Sequence, residues 1–277
     1  MQLGDSAGAG HGPCVQVTRV RKPVSSNTNL DKKGAPMAHT LNEFIDPRAE
    51  PDAAMTANQV DELYSYDLPD GLVRMLSHLR RAHYGPQDVL YNEGQEIDTV
   101  FVVRHGLVKL VSHLPNGRAR IVRLHSRGSV MGLSALIEKR YEHSAVAASE
   151  VDAYRIPISV LNQLKHEFPG DYAHLLEHWY DSLRRADTWI TEFSTGNIRA
   201  RVARLLAFLI KIEEVVNESE IELLTSDEMA AILGVTPESV SRVIAQFKRS
   251  QILRPVENSP HHVLVNDLDA IHQAAAG

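Results

Sequence analysis

Hydrophobic periodicity along this chain changes character from one stretch to the next, and each change marks a class of element. From Tyr84 to Pro157, short β-prone runs alternate with turn residues: VLY, TVFVV, LVKLV, ARIVRL, SAVAA and VDAYRIP. That rhythm predicts an all-β sandwich or barrel, with Asn116-Gly117 its clearest hairpin signal. A closed roll of this kind would enclose room for a small molecule. Pro169 to Thr195 reads as one long helix, with Tyr172, Leu176, Trp179, Leu183, Ala186, Ile190 and Phe193 spaced alternately four and three apart. This heptad seam suits a parallel homodimer, although three heptads would equally serve a helix packed on its own domain. Thr195-Gly196-Asn197 breaks the pattern and predicts a hinge.

The stretch from Leu224 to Leu253 carries the most specific pattern. Thr225 followed by Glu228 is a capping box, and the short helix it opens runs through Leu233. Gly234 supplies the turn, and Thr236 with Pro237 starts a second helix that ends at about Arg249. Met229, Leu233, Val235, Val240 and Val243 fall where two crossed helices bury side chains, with Ala230 small enough for close approach. Glu238, Ser241, Arg242 and Ala245 face outward. These are the marks of a helix-turn-helix, spanning about Ser226 to Ala245. Arginine suits a guanine edge, glutamate a cytosine amino group, and serine a base or a phosphate. The alternative is that Glu238 and Arg242, four apart, form a surface ion pair. Ile252 to Val256 and Val263 to Val265, separated by the polar Glu257 to His262 with Pro260, predict a winged hairpin. Asn266 and Asp267 then open a last short helix.

Composition narrows the classes. No apolar run approaches the ~20 residues of a membrane span, and the N-terminus lacks a signal-peptide core, so a cytoplasmic location is expected. The net charge is −6, and from Asn197 onward eight Lys and Arg face eleven Asp and Glu, so bulk charge does not announce nucleic acid. Local clustering of Arg199, Arg201, Arg204, Arg242, Lys248 and Arg249 would suffice. Cys14 is the only cysteine, which excludes intramolecular disulfides, CxxC zinc sites and a four-cysteine iron–sulfur cluster. Residues 1 to about 50 lack periodicity and read as a disordered tail. Its GAGHG has no strand before it or helix after it, as a phosphate loop requires. Met37 and Met55 are alternative starts.

A β-roll, a long dimerisation helix, a hinge and a winged helix-turn-helix, in that order, resemble the CRP/FNR family of bacterial transcription regulators over about residues 55 to 277. The resemblance includes the roll glycines Gly94, Gly106, Gly128 and Gly132, in NEGQ, RHGLV and SRGSVMGLSAL. PESVSRVIAQF is similar to the recognition helix of the FNR and FixK branch, which reads a TTGAT-type half-site. The resemblance implies an α+β chain divided into a tail (1–50), a cyclic-nucleotide-binding-like β-roll sensor domain (51–168), a dimerisation helix (169–195) and a winged helix-turn-helix domain (196–277). It further implies a homodimeric activator contacting double-stranded DNA and RNA polymerase. Glu238, Ser241 and Arg242 would read bases, within a DNA-binding set that also holds Thr236, Ser239, Lys248 and Arg249.

The departures bear on the effector. The family's phosphate cassette corresponds here to Gly132, Leu133, His143 and Ser144, with Leu133 where a glutamate would hold a ribose hydroxyl and His143 where an arginine would hold the phosphate. Cyclic AMP is therefore not expected, and no iron–sulfur cluster can form. A haem ligand, another small molecule or no effector remain, with His78, His83, His105, His113, His125 and His143 near the roll. His174, Glu177 and His178 match a zinc-hydrolase pattern by chance, on the exposed side of the heptad helix. Two alternatives to a transcription regulator fit the chain less well. A cupin-like metal enzyme would need an HxH pair that the chain lacks, and a nucleotide-binding regulatory module is opposed by Leu133. No enzyme activity, cofactor or metal is expected.

Overall fold

The computed structural model describes residues 62–63, 65–66, 68–75, 80–212, 220–257 and 259–277. The tail with Cys14, GAGHG and Met37, as well as Met55 and His78, lies outside them.

A short helix α1 (Asp70–Met75) leads into eight strands: β1 (Arg80–Tyr84), β2 (Val89–Tyr91), β3 (Thr99–His105), β4 (Val108–His113), β5 (Ala119–His125), β6 (Val130–Met131), β7 (Ser144–Ala147) and β8 (Val151–Pro157). They form two antiparallel four-stranded sheets, ordered β1-β8-β3-β6 and β2-β7-β4-β5. All six predicted runs are strands. β1 and β6 are additions: RRAHY hides its inward Ala82 and Tyr84 among charges, and β6 is only two residues long. The β4–β5 hairpin turns at Leu114–Gly117, where the Gly117 amide donates to the Leu114 carbonyl at 2.9 Å and Asn116 Oδ1 accepts from the Arg118 amide at 3.0 Å. Between β3 and β4, Gly106 sits at φ +85° with the Glu150 carbonyl where a Cβ would be, so no other residue fits without moving the chain.

Both faces of β3 are buried. Phe101 and Val103 join Tyr84, Met131, Ala145 and Val151 between the sheets. Val100 and Val102 join Tyr154, Ile156, Leu161, Leu164 and Leu175 beneath the helices. Burial at this level contributes roughly 1.5–3 kcal/mol per large side chain.

Helix α2 (Ile158–Glu167), absent from the predicted elements, follows β8 directly. Phe168 leaves the helical region at φ −133°, ψ 67°, and Pro169 at the first turn starts the 26-residue α3 (Pro169–Ser194). The heptad positions of α3 divide three ways. Tyr172 and Trp179 pack on the chain's own roll, and Phe193, 1% exposed, is buried with Trp189 in the C-terminal core. Leu183 and Ile190 stay 44% and 61% exposed, with Tyr180 at 61% beside them. Leu176 and Ala186 are half-buried. The seam is therefore shorter than the pattern predicts, because aromatic residues at its two ends find partners within the chain.

The corner after α3 is tied rather than loose. Gly196 adopts φ +83°, and Asn197 Oδ1 accepts from the Ala200 amide at 2.9 Å to open α4 (Ile198–Ile212). The last carbonyls of α3 are taken by arginines of α4. Arg201 Nε donates to the Phe193 carbonyl at 2.8 Å, and Arg204 Nη1 to those of Glu192 and Thr195 at 2.5 and 2.9 Å. A cation at a helix C-terminus both satisfies orphan carbonyls and opposes the helix dipole.

The remaining elements are β9 (Glu220–Glu222), α5 (Ser226–Leu233), α6 (Pro237–Arg249), β10 (Leu253–Val256), β11 (Ser259–Val265) and α7 (Leu268–Ala276). β9, β10 and β11 pair in the order β10-β11-β9. β11 begins at Ser259, so Ser259 to His262, expected in the wing loop, belong to the strand. Asp267 caps α7 by accepting from the Ala270 amide at 2.9 Å.

Candidate nucleic-acid interface and effector cavity

Helices α5 and α6 make the helix-turn-helix. The capping box is complete: Thr225 Oγ1 accepts from the Glu228 amide at 3.2 Å, and Glu228 Oε2 accepts from the Thr225 amide at 3.0 Å. Gly234 turns at φ +64°, a backbone conformation that favours glycine, with the movable Arg120 guanidinium from β5 resting against it. Thr236 occupies the N-cap of α6 without capping it; its hydroxyl instead lies 3.2 Å from that of Ser239. Val240, Val243, Ile244 and Phe247 bury one face of α6.

The opposite face is open. Glu238, Ser241, Arg242 and Arg249 are exposed, Ser239 and Lys248 half-buried, and Ala245, expected outward, is half-buried as well. Glu238 is held below the usual carboxylate range by its own amide at the helix start and by the Thr236 hydroxyl. It makes no ion pair with Arg242, which has no hydrogen-bond or ion-pair partner among the described residues. Ser241 Oγ lies 2.9 Å from Ser226 Oγ. Of the cations expected to cluster, Arg201 and Arg204 are tied to α3 as above, and Arg204 Nε also donates to the Ala275 carbonyl at 2.8 Å. Arg199 lies over the Phe247 ring at 4.7 Å.

The helix-turn-helix is docked on the roll. Val111, Ile121 and Leu124 of the β4–β5 hairpin share one core with Trp189, Phe193, Leu206, Ile232 and Leu233. Lys109 Nζ meets Glu228 Oε1 at 2.5 Å, and both side chains are nearly buried.

A cavity of about 320 Å³ lies between β5, the turn after β6 and α3. Gly132, Leu133 and His143 line it; Ser144 does not, its hydroxyl accepting instead from the Glu93 amide at 3.0 Å. Leu133 is 4% exposed within an apolar cluster. The groups a cyclic nucleotide would meet at Leu133 and His143 are thus a hydrocarbon and a half-buried imidazole, which do not fit its ribose and phosphate. Sequence reasoning missed Tyr91, Arg123 and Ser182, which also line the cavity. Of these only Arg123 carried a signal, its i, i+2 spacing from His125 along β5, and nothing local marks Tyr91 or Ser182.

The other histidines scatter. His83 is exposed between Asp152 and Glu150, at 3.0 and 2.8 Å, and is raised by its bond to Asp152. His105 and His113 are exposed. His125 is buried and lines the cavity; burial, helped by Arg123 and Arg185, lowers it to about 3. His174 and His178 pack ring to ring at 5.4 Å and are half-buried rather than exposed. No group of three His, Cys, Asp or Glu fit to hold a metal occurs among the described residues.

The chain matches the cyclic nucleotide-binding domain over residues 81–167 and the Crp-like helix-turn-helix domain over residues 200–274. It is 27% identical over 195 residues to the transcriptional regulator LdrP of Thermus thermophilus, covering 69% of this chain and 95% of that protein. The chain belongs to the CRP/FNR family. This CRP/FNR-type regulator is also 23% identical over 235 residues to the transcriptional activator protein anr of Pseudomonas aeruginosa, covering 84% and 91% of the two chains. FixK2 of Bradyrhizobium japonicum shares its fold, with a TM-score of 0.64 at 21% identity over 72% of this chain and 98% of that one. A CRP-family transcriptional regulator of Thermus thermophilus superposes with a TM-score of 0.60 at 26% identity, covering 70% and 96%. The regulator is a DNA-binding transcription factor. No described helix is long and apolar enough to cross a membrane.

Proposed function

We propose that this regulator is a homodimeric activator that reads an inverted repeat of TTGAT-type half-sites, and that its roll responds to something other than cyclic AMP. The observation that carries the reading is the open face of α6, where Glu238, Ser241 and Arg242 stand exposed with no ion pair between them. Two copies would place these faces in successive major grooves if joined along α3, whose Tyr180, Leu183 and Ile190 form an exposed apolar strip. Activation implies contact with RNA polymerase and a place in the cytoplasm. Leu133 and His143 argue against cyclic AMP. A cavity of about 320 Å³ stands at the bottom of the range for drug-sized ligands and argues against a porphyrin.

A gel shift tests the reading. DNA carrying inverted TTGAT half-sites, with centres about one helical turn apart, should be retained by a dimer in preference to scrambled DNA. Equal retention of both would refute it.

A further inference from the structure

Three polar side chains converge on the cavity with little to satisfy them. Tyr91 is 5% exposed and stacks on Tyr141 at 3.8 Å, yet no described group hydrogen-bonds its hydroxyl. His125, 6% exposed, has no described hydrogen-bond partner for its imidazole. Arg123 has a single described hydrogen bond, from Nη1 to Ser182 Oγ at 2.9 Å, and pairs with no described carboxylate.

Polar groups withdrawn from bulk water are ordinarily bonded, and Arg123, half-buried and without a described counter-ion, is left with donors facing the cavity. Such groups aimed into an open space mark where a partner belongs. The sign of that partner follows from the wall. Arg120 joins Arg123 there, while Glu142, itself exposed, is the one acidic residue in the described lining. Met131, Leu133 and Trp179 supply an apolar remainder.

We propose that the cavity binds a small organic oxyanion, a carboxylate or phosphate ester with a compact apolar body, whose charged head is held by Arg123 beside Ser182 and met by Tyr91 and His125. The inference rests on the reading of the roll as the sensor domain. Its anchor is an arginine of β5, not the residue at position 143 where the cyclic-nucleotide arrangement would place one. Guanidinium binds carboxylate and phosphate alike through paired N–H donors. Arg123 belongs to the roll, Ser182 to α3 and the cavity-lining Ile232 to α5, so the cavity wall is built from all three parts of the molecule. Occupancy of the cavity then bears on how the helix-turn-helix sits.

The two tryptophans of the chain, Trp179 and Trp189, both line the cavity, so intrinsic emission reports occupancy. The full chain is titrated with benzoate and phenyl phosphate, alongside benzyl alcohol and cyclic AMP. A saturable change is expected with at least one aromatic anion and none with benzyl alcohol, and the tighter of the two anions tells carboxylate from phosphate. Arg123→Gln should weaken that binding at least tenfold, while Arg118→Gln, on the exposed hairpin tip, should leave it unchanged. Should Arg123→Gln fail to fold, Ser182→Ala must weaken binding in the same direction. Silence with both anions, equal affinity in the Arg123 or Ser182 variant, or tighter binding of cyclic AMP would overturn the proposal. The same preparations are assayed by gel shift with and without the bound anion. Absence of DNA binding in both states would refute the activator reading while leaving the anion result standing.

Discussion

Lys109 on β4 and Glu228 in the first turn of α5 meet at 2.5 Å, with side chains only 8% and 12% exposed. The same carboxylate therefore does two jobs. Its Oε2 closes the capping box on Thr225, and its Oε1 receives the roll's lysine, with Gln87 Oε1 accepting from Lys109 Nζ at 2.9 Å. The start of the helix-turn-helix is thus fastened to the β-roll through its own cap.

Removing the lysine leaves a carboxylate buried without its cation. Lys109→Met should destabilise the protein by about 3 kcal/mol, the low end for breaking a buried pair, because the Thr225 bonds persist. Urea unfolding measures this. In a double-mutant cycle with Glu228→Gln the two substitutions should be non-additive by at least ~1 kcal/mol. Additive effects would mean the pair contributes no coupling.

Stability should fall in acid in two stages. His125, lowered to about 3 in the folded protein against an ordinary 6.5, stays neutral while the unfolded chain takes up a proton. The unfolded state then binds more protons, so stability declines as pH drops below about 6.5, by up to ~1.4 kcal/mol per unit. Burial by itself would raise Glu228, but bonds from Lys109 and Thr225 outweigh it and hold the carboxyl low. Its contribution is present above the unfolded value near 4.5 and is lost as pH falls through the folded one. His83, raised by Asp152 and fully exposed, acts in the opposite direction: its contribution is present below 6.5 and is lost as pH rises through its folded value. His125→Leu should flatten the decline between pH 6.5 and 4.5 while leaving the lower stage. An unchanged profile would mean His125 is not the group responsible.

What the sequence announced and what it hid separate along physical lines. The capping box, the glycine turn and the six strands were legible because each depends on neighbours within a few residues. β1 was hidden because Arg80, Arg81 and His83 mask the inward Ala82 and Tyr84. Phe193 obeys the heptad spacing of α3 yet is buried against Trp189 and Phe208, at 4.5 and 5.9 Å between ring centroids, a tertiary choice no period can foretell. Arg201 and Arg204 looked like DNA-facing cations, since their carbonyl partners on α3 lie around a corner. The polar lining of the cavity was hidden for the same reason. Tyr91, Arg123 and Ser182 come from β2, β5 and α3, and only folding brings them together.

The exposed strip of α3 gives a direct test of assembly. Leu183, 44% exposed, lies between Tyr180 and Ile190, and in a dimer along this helix a glutamate there would be buried against its own copy at several kcal/mol. Leu183→Glu should sediment as a monomer and bind the inverted repeat weakly. A variant that remains dimeric by analytical ultracentrifugation would place the interface elsewhere.

Base reading and backbone anchoring should come apart on α6. Arg242 is exposed and without a described partner, and if it makes the proposed bidentate guanine contact, Arg242→Ala should cost about 1–3 kcal/mol and relax preference at one base pair of each half-site. Arg249 lies in the last turn of the same helix, away from the Glu238 end, where a phosphate contact is expected. Arg249→Ala should then weaken all sequences alike and reduce the slope of log affinity against log salt by about one unit per site. Binding measured across a half-site library at several salt concentrations distinguishes the two. If Arg242→Ala kept both its affinity and its sequence preference, α6 would not be the helix that reads the DNA.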